Sequence, residues 1–304
     1  MKFTKMHGLG NDYIYVDGAA EEIFEPSRLA RRLSDRHKGI GGDGLIIIHP
    51  PSNSGVAGRM EMYNADGSRA QMCGNGIRCM AKYLLDRGRA EGPELVLETD
   101  AGPRLLRVIS RDRHGRAEAI EVDMGTPRFL RSQVPMRDGG PPDAPAVDVP
   151  LPVEIPLRGG KHSLIVTGVS MGNPHCVVRL SGMDPFGAAL GDLDLPAIGP
   201  ALERHPAFPE RANVEFIEPR NRGEIDFRVW ERGSGETQAC GTGACAAVVA
   251  CVLGGLCDRT VRVHLLGGDL DIRWDKATDR VFMTGPTCEV FHGEVGQEWL
   301  EAGD

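Results

Sequence analysis

Short runs with the two-residue alternation or continuous apolar character of β-strands occur at residues 13–17, 45–49 and 59–63, and again at 95–99, 105–110 and 119–123. Helical spacing appears at 26–36, where Pro26 stands in a first turn that loses nothing from its missing N–H, and at 77–87. Residues 125–150, including "DGGPPDAPAVDVP", read as a loop or a connection between domains. The pattern then resumes. Strands are expected at 163–169, 175–180, 213–218 and 224–231, a helix at 241–253, and strands at 261–265, 270–274, 280–284 and 288–292. Strands dominate and long helices are few, which is an α/β pattern of the α+β type.

Two segments repeat each other. Residues 71–79 read "QMCGNGIRC" and residues 238–245 read "QACGTGAC". Aligned on their first cysteines, Gln71, Cys73, Gly74 and Gly76 fall on Gln238, Cys240, Gly241 and Gly243. The preceding strand ends agree in character, with Met60, Met62 and Tyr63 against Phe227, Val229 and Trp230. Both segments run on into an apolar helix. A weaker echo pairs "GLGND" at 8–12 with "SMGNP" at 170–174. The shared order of strand, loop, cysteine and helix points to an internal duplication. Cys79 aligns with Ala246 and reads as core.

A helix start leaves backbone N–H groups unpaired and carries partial positive charge, so a thiol placed there ionises more easily. The glycines allow close approach of backbone and leave N–H groups to bind a carboxylate. Two such sites facing one cleft put thiols on opposite sides of one bound molecule. That suits stereoinversion beside a carboxylate: one thiolate removes the Cα proton while the other thiol delivers a proton from the opposite face. A pair of phosphate-binding loops is the rival reading, but neither segment has the Lys-Ser/Thr ending or the GxGxxG spacing. Each thiol needs a helper, and the polar candidates at strand ends are Glu231 and His175. Glu231 aligns with Asn64, so the halves have diverged there.

Composition narrows the partners. The 304 residues suit two domains, and a formal charge of -8 with a pI near 5.6 argues against nucleic acid or an anionic membrane as partner. No stretch reads as a signal peptide or a membrane span, so a cytoplasmic location is expected. Eight cysteines spread over such a chain are expected to be reduced, and without a CxxC pair no metal site is expected.

The segments "KMHGLGNDYIYVD", "YNADGSRAQMCGNGIRC", "SMGNPH", "ANVEFIE" and "WERGSGETQACGTGAC" resemble the diaminopimelate epimerase family. The resemblance runs from residue 5 to 245 and implies an enzyme that interconverts LL- and meso-diaminopimelate without pyridoxal phosphate or any other cofactor. It implies two pseudo-symmetric domains, each a mixed, largely antiparallel sheet curled around a central helix, with the active site between them. The halves would be residues 1–127 plus about 288–304, and 128–287. Carried over by motif, Cys73 and Cys240 are the acid/base pair, with His175 assisting Cys73 and Glu231 assisting Cys240. Gly74–Asn75 and Gly241–Thr242 would hold the reacting carboxylate, while Asn11, Asn64, Asn173, Asn213 and Arg232 bind the other polar groups. Arg232 would anchor the distal carboxylate. The family also implies a homodimer. This chain has Gly44 where some members carry Gln, so no side-chain contact is carried over at 44. Two alternatives stand beside this reading: a proline or hydroxyproline racemase or dehydratase on the same scaffold, and a binding or redox protein whose cysteines sense oxidation; a Cys73–Cys240 disulfide in an empty, closed site would not separate the readings.

Overall fold

In the computed structural model, which describes residues 1–154, 161–180, 186 and 189–301, the chain forms two units. One consists of Met1–Asp123 together with the residues from Thr284 onward, the other of Met124–Met283. The last three residues of the expected return segment, 302–304, lie outside the described residues.

In the first unit β1 (Lys2–Gly8) and β2 (Asn11–Asp17) form an antiparallel hairpin, and α1 (Pro26–Ser34) crosses to β3 (Gly44–His49), parallel to β2. Next, β4 (Gly58–Asn64) returns antiparallel and the two-residue β5 (Arg69–Ala70) folds back on it. The long α2 (Gly74–Asp86) then leads to β6 (Glu94–Glu98), parallel to β4, before the antiparallel β7 (Arg104–Arg111) and β8 (Ala117–Gly125).

The second unit repeats this order. After β9 (Val149–Glu154), β10 (Lys161–Ser170) and β11 (Pro174–Arg179) form the hairpin, and α3 (Leu195–Glu203) crosses to β12 (Asn213–Asn221), parallel to β11. A return strand, β13 (Glu224–Glu231), and the short β14 (Gly235–Glu236) follow. The long α4 (Gly241–Leu253) leads to β15 (Thr260–Leu265), parallel to β13, then to β16 (Gly268–Trp274) and β17 (Val281–Pro286). The chain ends with β18 (Cys288–Glu294), antiparallel to β1, and α5 (Gln297–Glu301). As far as β16 the senses of pairing match those of the first unit as far as β7, so the duplication inferred around the cysteines extends well beyond them.

The long helices sit at the centre of their sheets because of what they carry. α4, "GTGACAAVVACVL", has no charged residue, and a helix apolar all round must be enclosed. It packs on β10, β11, β12 and β16. α2 packs on β1, β2 and β6 and buries two cations along with its apolar residues. Lys82 is neutralised by Asp86 at 2.7 Å and donates to the Ala117 carbonyl, while Arg78 donates to the Gly74 carbonyl. Cys79 and its counterpart Ala246 are both fully buried, as core residues should be. Among the described residues no helix is long and apolar enough to cross a membrane.

The structure departs from the sequence expectation in three instructive places. β1 escapes the alternation rule because it buries Thr4 and Lys5; the lysine ammonium lies 2.6 Å from Asp12 and donates to the Gly41 carbonyl. α3 contains Pro200, yet its first-turn proline, the Asp194 cap and the apolar Leu195, Ile198 and Leu202 suffice for nine residues. α1 stops at Ser34 because Asp35 turns extended and its carboxylate accepts the N–H groups of His37 and Lys38.

Gly44 faces Tyr13 across β2 and Asn64 across β4. A Cβ there would stand 2.1 Å from the Tyr63 carbonyl oxygen and 3.0 Å from Tyr13 Cε1, so backbone would have to move. Gly44→Gln is therefore expected to destabilise the fold by about 1–3 kcal/mol through overpacking. A chemical-denaturation curve measures this, and an unchanged or higher stability would refute it.

Candidate active site

Each long helix begins at its cysteine. Cys73 and Cys240 are the N-caps of α2 and α4, both with extended backbone, at φ -130° and -112°. Their sulfurs take the place of the usual Ser or Asp oxygen: Cys73 Sγ accepts the Gly76 N–H at 3.3 Å, and Cys240 Sγ accepts the Gly243 N–H at 3.4 Å. All eight cysteines are free thiols.

Around Cys73 lies a polar network from the β1–β2 turn. Cys73 Sγ donates to Asn11 Oδ1 at 3.4 Å, and the Asn75 amide donates to the same oxygen at 3.3 Å. Asn11 in turn donates to Asp43 at 2.8 Å, and buried Arg78 fixes the Asn75 carbonyl oxygen at 2.9 Å. Arg36 grips both Asp12 and Asp43. Burial opposes ionisation of Asp12, but the hydrogen bonds from Arg36 and Lys5 outweigh it and hold its carboxyl below the usual range. Asp43 is pushed up, chiefly by burial. Asn64 ends β4 with its amide on Ser68 Oγ at 3.0 Å. Tyr13 adds a phenol that hydrogen-bonds with Asn11 and Cys73, and burial raises its pKa well above the ordinary value.

The second half-site is built the same way with different groups. Asn173, in the β10–β11 turn, donates to Thr242 Oγ1 at 3.4 Å, and that hydroxyl lies 3.6 Å from Cys240 Sγ. Glu231 hydrogen-bonds with Cys240 and accepts from the Thr237 hydroxyl. His175 is fully buried, with Nδ1 2.7 Å from Glu215 Oε1 and Nε2 3.0 Å from Asn173 Oδ1. Asn213 accepts the Arg232 backbone N–H at 2.9 Å and donates to the Pro174 carbonyl at 3.3 Å. The exposed Arg232 guanidinium rests on the Glu210 carbonyl at 2.9 Å.

Electrostatics corrects one expectation. Position at a helix start was expected to ease ionisation of the thiol, yet the Cys240 pKa stands well above the ordinary cysteine value. Burial is the largest cause, reinforced by Glu231 and Glu215, and the Thr242 hydroxyl and Gly243 N–H do not offset them. Glu231 is itself pushed up by burial against the hydrogen bonds from Thr237 and Cys240. Within the second unit the structure thus gathers Cys240, Glu231, His175, Asn173, Asn213, Thr242 and Gly241. The first unit gathers Cys73, Gly74, Asn75, Asn11 and, at the end of β4, Asn64. Sequence reasoning missed Tyr13, Asp43 and Glu215. Extending the echo of "GLGND" and "SMGNP" by one residue pairs Tyr13 with His175, a signal that was there to use.

Fold and paired half-sites together define the class, a duplicated scaffold shared with racemases and epimerases. The fold matches the crystal structure of a probable proline racemase from Agrobacterium radiobacter K84, with a TM-score of 0.67, 16% identity, and coverage of 99% of this chain and 94% of that one. The chain belongs to the diaminopimelate epimerase family, whose sequence profile matches residues 3–130 and 167–289. It is 46% identical to the diaminopimelate epimerase of Desulfovibrio desulfuricans over 97% of this chain and 98% of the relative. It is 47% identical to that of Acetivibrio thermocellus over the same shares of each.

The raised Glu231 carboxyl gives a stability prediction. A carboxyl whose folded pKa is raised favours the fold below the unfolded value and loses that contribution as pH rises through the folded value. Glu231→Gln is thus expected to melt higher than wild type at neutral pH, with the gap closing as pH falls through the ordinary carboxylate range, about 4.3. Calorimetry across pH measures it; a variant that melts lower at neutral pH contradicts the assignment.

Proposed function

We propose that the chain interconverts LL- and meso-diaminopimelate by a two-base route, with Cys73 and Cys240 acting on opposite faces of one Cα. The observation that carries this reading is the duplicated cap: two thiols, each bonded to the N–H three residues on at a glycine-rich helix start. The backbone N–H groups of Gly74–Asn75 and Gly241–Thr242 receive the reacting carboxylate and stabilise it as it gains enolate character. The two units correspond to the two halves of the family fold and close over the substrate to exclude water.

Burial beside Glu231 and Glu215 pushes the Cys240 thiol up, so Cys240 is the acid in the direction in which Cys73 takes the Cα proton. Glu231 serves Cys240: they are hydrogen-bonded, and a carboxyl pushed up by burial is a better acceptor for a thiol proton. His175 serves Cys73, a role supported by its motif. Asn11, Asn64, Asn173 and Asn213 orient the polar groups of the substrate. Arg232 swings from the Glu210 carbonyl to grip the distal carboxylate with two parallel hydrogen bonds. The reaction needs no cofactor, and the enzyme works as a cytoplasmic homodimer, as the family resemblance implies.

Cys73→Ala and Cys240→Ala are each expected to lower kcat/KM for LL-diaminopimelate by about 10³-fold or more while the circular dichroism spectrum is kept. In D2O the wild-type enzyme should place deuterium on the substrate Cα. Full activity in either variant, or turnover of proline enantiomers with none of diaminopimelate, would sink the proposal.

A further inference from the structure

Behind His175 stands Glu215, on β12 two residues after Asn213 and fully buried. Its Oε1 lies 2.7 Å from His175 Nδ1, and its Oε2 is buried without a hydrogen-bond partner among the described residues. The helix start makes room for it: a Cβ on Gly243 would stand 2.7 Å from Oε1 and 3.2 Å from Cys240 Sγ. From β11 it faces His175 and Cys176, from β13 Glu231, and from α4 Cys240.

The other half of the molecule supplies a built-in control. Tyr13 pairs with Gly44 in β2–β3 as His175 pairs with Asn213 in β11–β12, so Ile46 occupies the place of Glu215. Ile46 also touches the matching glycine, since a Cβ on Gly76 would stand 2.7 Å from its Cδ1. The scaffold therefore accepts an apolar residue in this slot. A buried carboxylate with one oxygen unpaired is costly, and a hydrocarbon of similar volume is often the more stable choice. Stability does not account for Glu215.

We infer that Glu215 is a positioning residue that shares one proton with His175 and so makes the second half-site a buried proton store. This rests on the proposed role of His175. The hydrogen-bond inventory supports it: Nε2 faces the amide oxygen of Asn173 and so carries a hydrogen, while Nδ1 faces a carboxyl oxygen, so a proton lies between them. Shared between Oε1 and Nδ1, that proton keeps the unpaired Oε2 from carrying a full carboxylate charge. When Nε2–H gives its proton to the Cys73 thiolate, an S–H bond forms there, the shared proton passes wholly to Nδ1, and Glu215 is left as carboxylate. Reprotonation at Nε2 reverses each change. The cost of that buried carboxylate drives the return, which keeps His175 poised to donate.

The test is ¹⁵N NMR of histidine-labelled intact protein, with the His175 signals identified by their loss in His175→Asn. Both ring nitrogens of His175 should show protonated or shared-proton shifts. In Glu215→Gln the side chain has no proton to share, so the neutral ring keeps its hydrogen on Nε2 and Nδ1, accepting from the amide NH2, should move to the unprotonated range. The same variant should lower kcat about 10²-fold with KM within about threefold. Glu215→Ile, copying the other half, should melt at or above the wild-type temperature and lose kcat to a similar extent. A wild-type His175 with one plainly unprotonated nitrogen overturns the inference, and so does wild-type kcat in either variant. If wild type fails to epimerise diaminopimelate, the reaction proposed above falls, while the wild-type NMR signature still decides whether Glu215 and His175 share a proton.

Discussion

Everything in the two half-sites depends on one backbone requirement. The first N–H groups of a helix have no partner within it, and here a sulfur accepts one of them. Sulfur is a weaker acceptor than the oxygen of Ser or Asp, so the cap sacrifices helix stability for a thiol aimed along the helix start. The fold offsets this through the surroundings of the helix. A strongly apolar α4 wrapped by six strands does not depend on its cap to remain helical. Central placement of the helix is thus what frees the cap position for chemistry.

The same duplication holds two different electrostatic environments. In the first half Asp12 and Asp43 face the fixed cations Arg36 and Lys5, and the network ends on Asn11 and a partly exposed Cys73. In the second, Glu215 and Glu231 face the titratable His175 beside a buried Cys240. The substitutions that separate them fall on equivalent lattice points: Tyr13 and His175, Gly44 and Asn213, Ile46 and Glu215, Asn64 and Glu231. Fixed charge gives the first half a stable geometry. Mobile protons give the second an adjustable charge.

Much of this was legible in the chain. The helix 241–253 and the strands around it are nearly pure in pattern, and the Cys-Gly-x-Gly repeat located both caps. β1 was hidden because a strand that buries Lys5 against Asp12 does not look amphipathic, and the ion pair is formed only by tertiary contact. Glu215 was hidden for a related reason. In "NVEFIE" an acidic residue between apolar neighbours reads as the solvent face of a strand, and its burial follows from α4 packing across that face. Thiol ionisation was misjudged because sequence shows the helix start but not the enclosure around it. Desolvation with two carboxyl neighbours then outweighs a dipole whose influence is confined to the first turn.

That reversal bears on how an unactivated thiol can be useful. A thiolate at a helix start is a ready base, but stereoinversion by two groups needs an acid on the far side as much as a base on the near one. A symmetric pair of activated thiolates would lack the acid. In the proposed reaction Cys240 supplies it, because burial, reinforced by Glu231 and Glu215, raises the cost of ionising its thiol. Enclosure costs the second half-site a ready nucleophile and gives it a retained proton. An internal duplication could therefore move from two like half-sites to a complementary pair by changing strand residues behind the caps, with the caps themselves left alone.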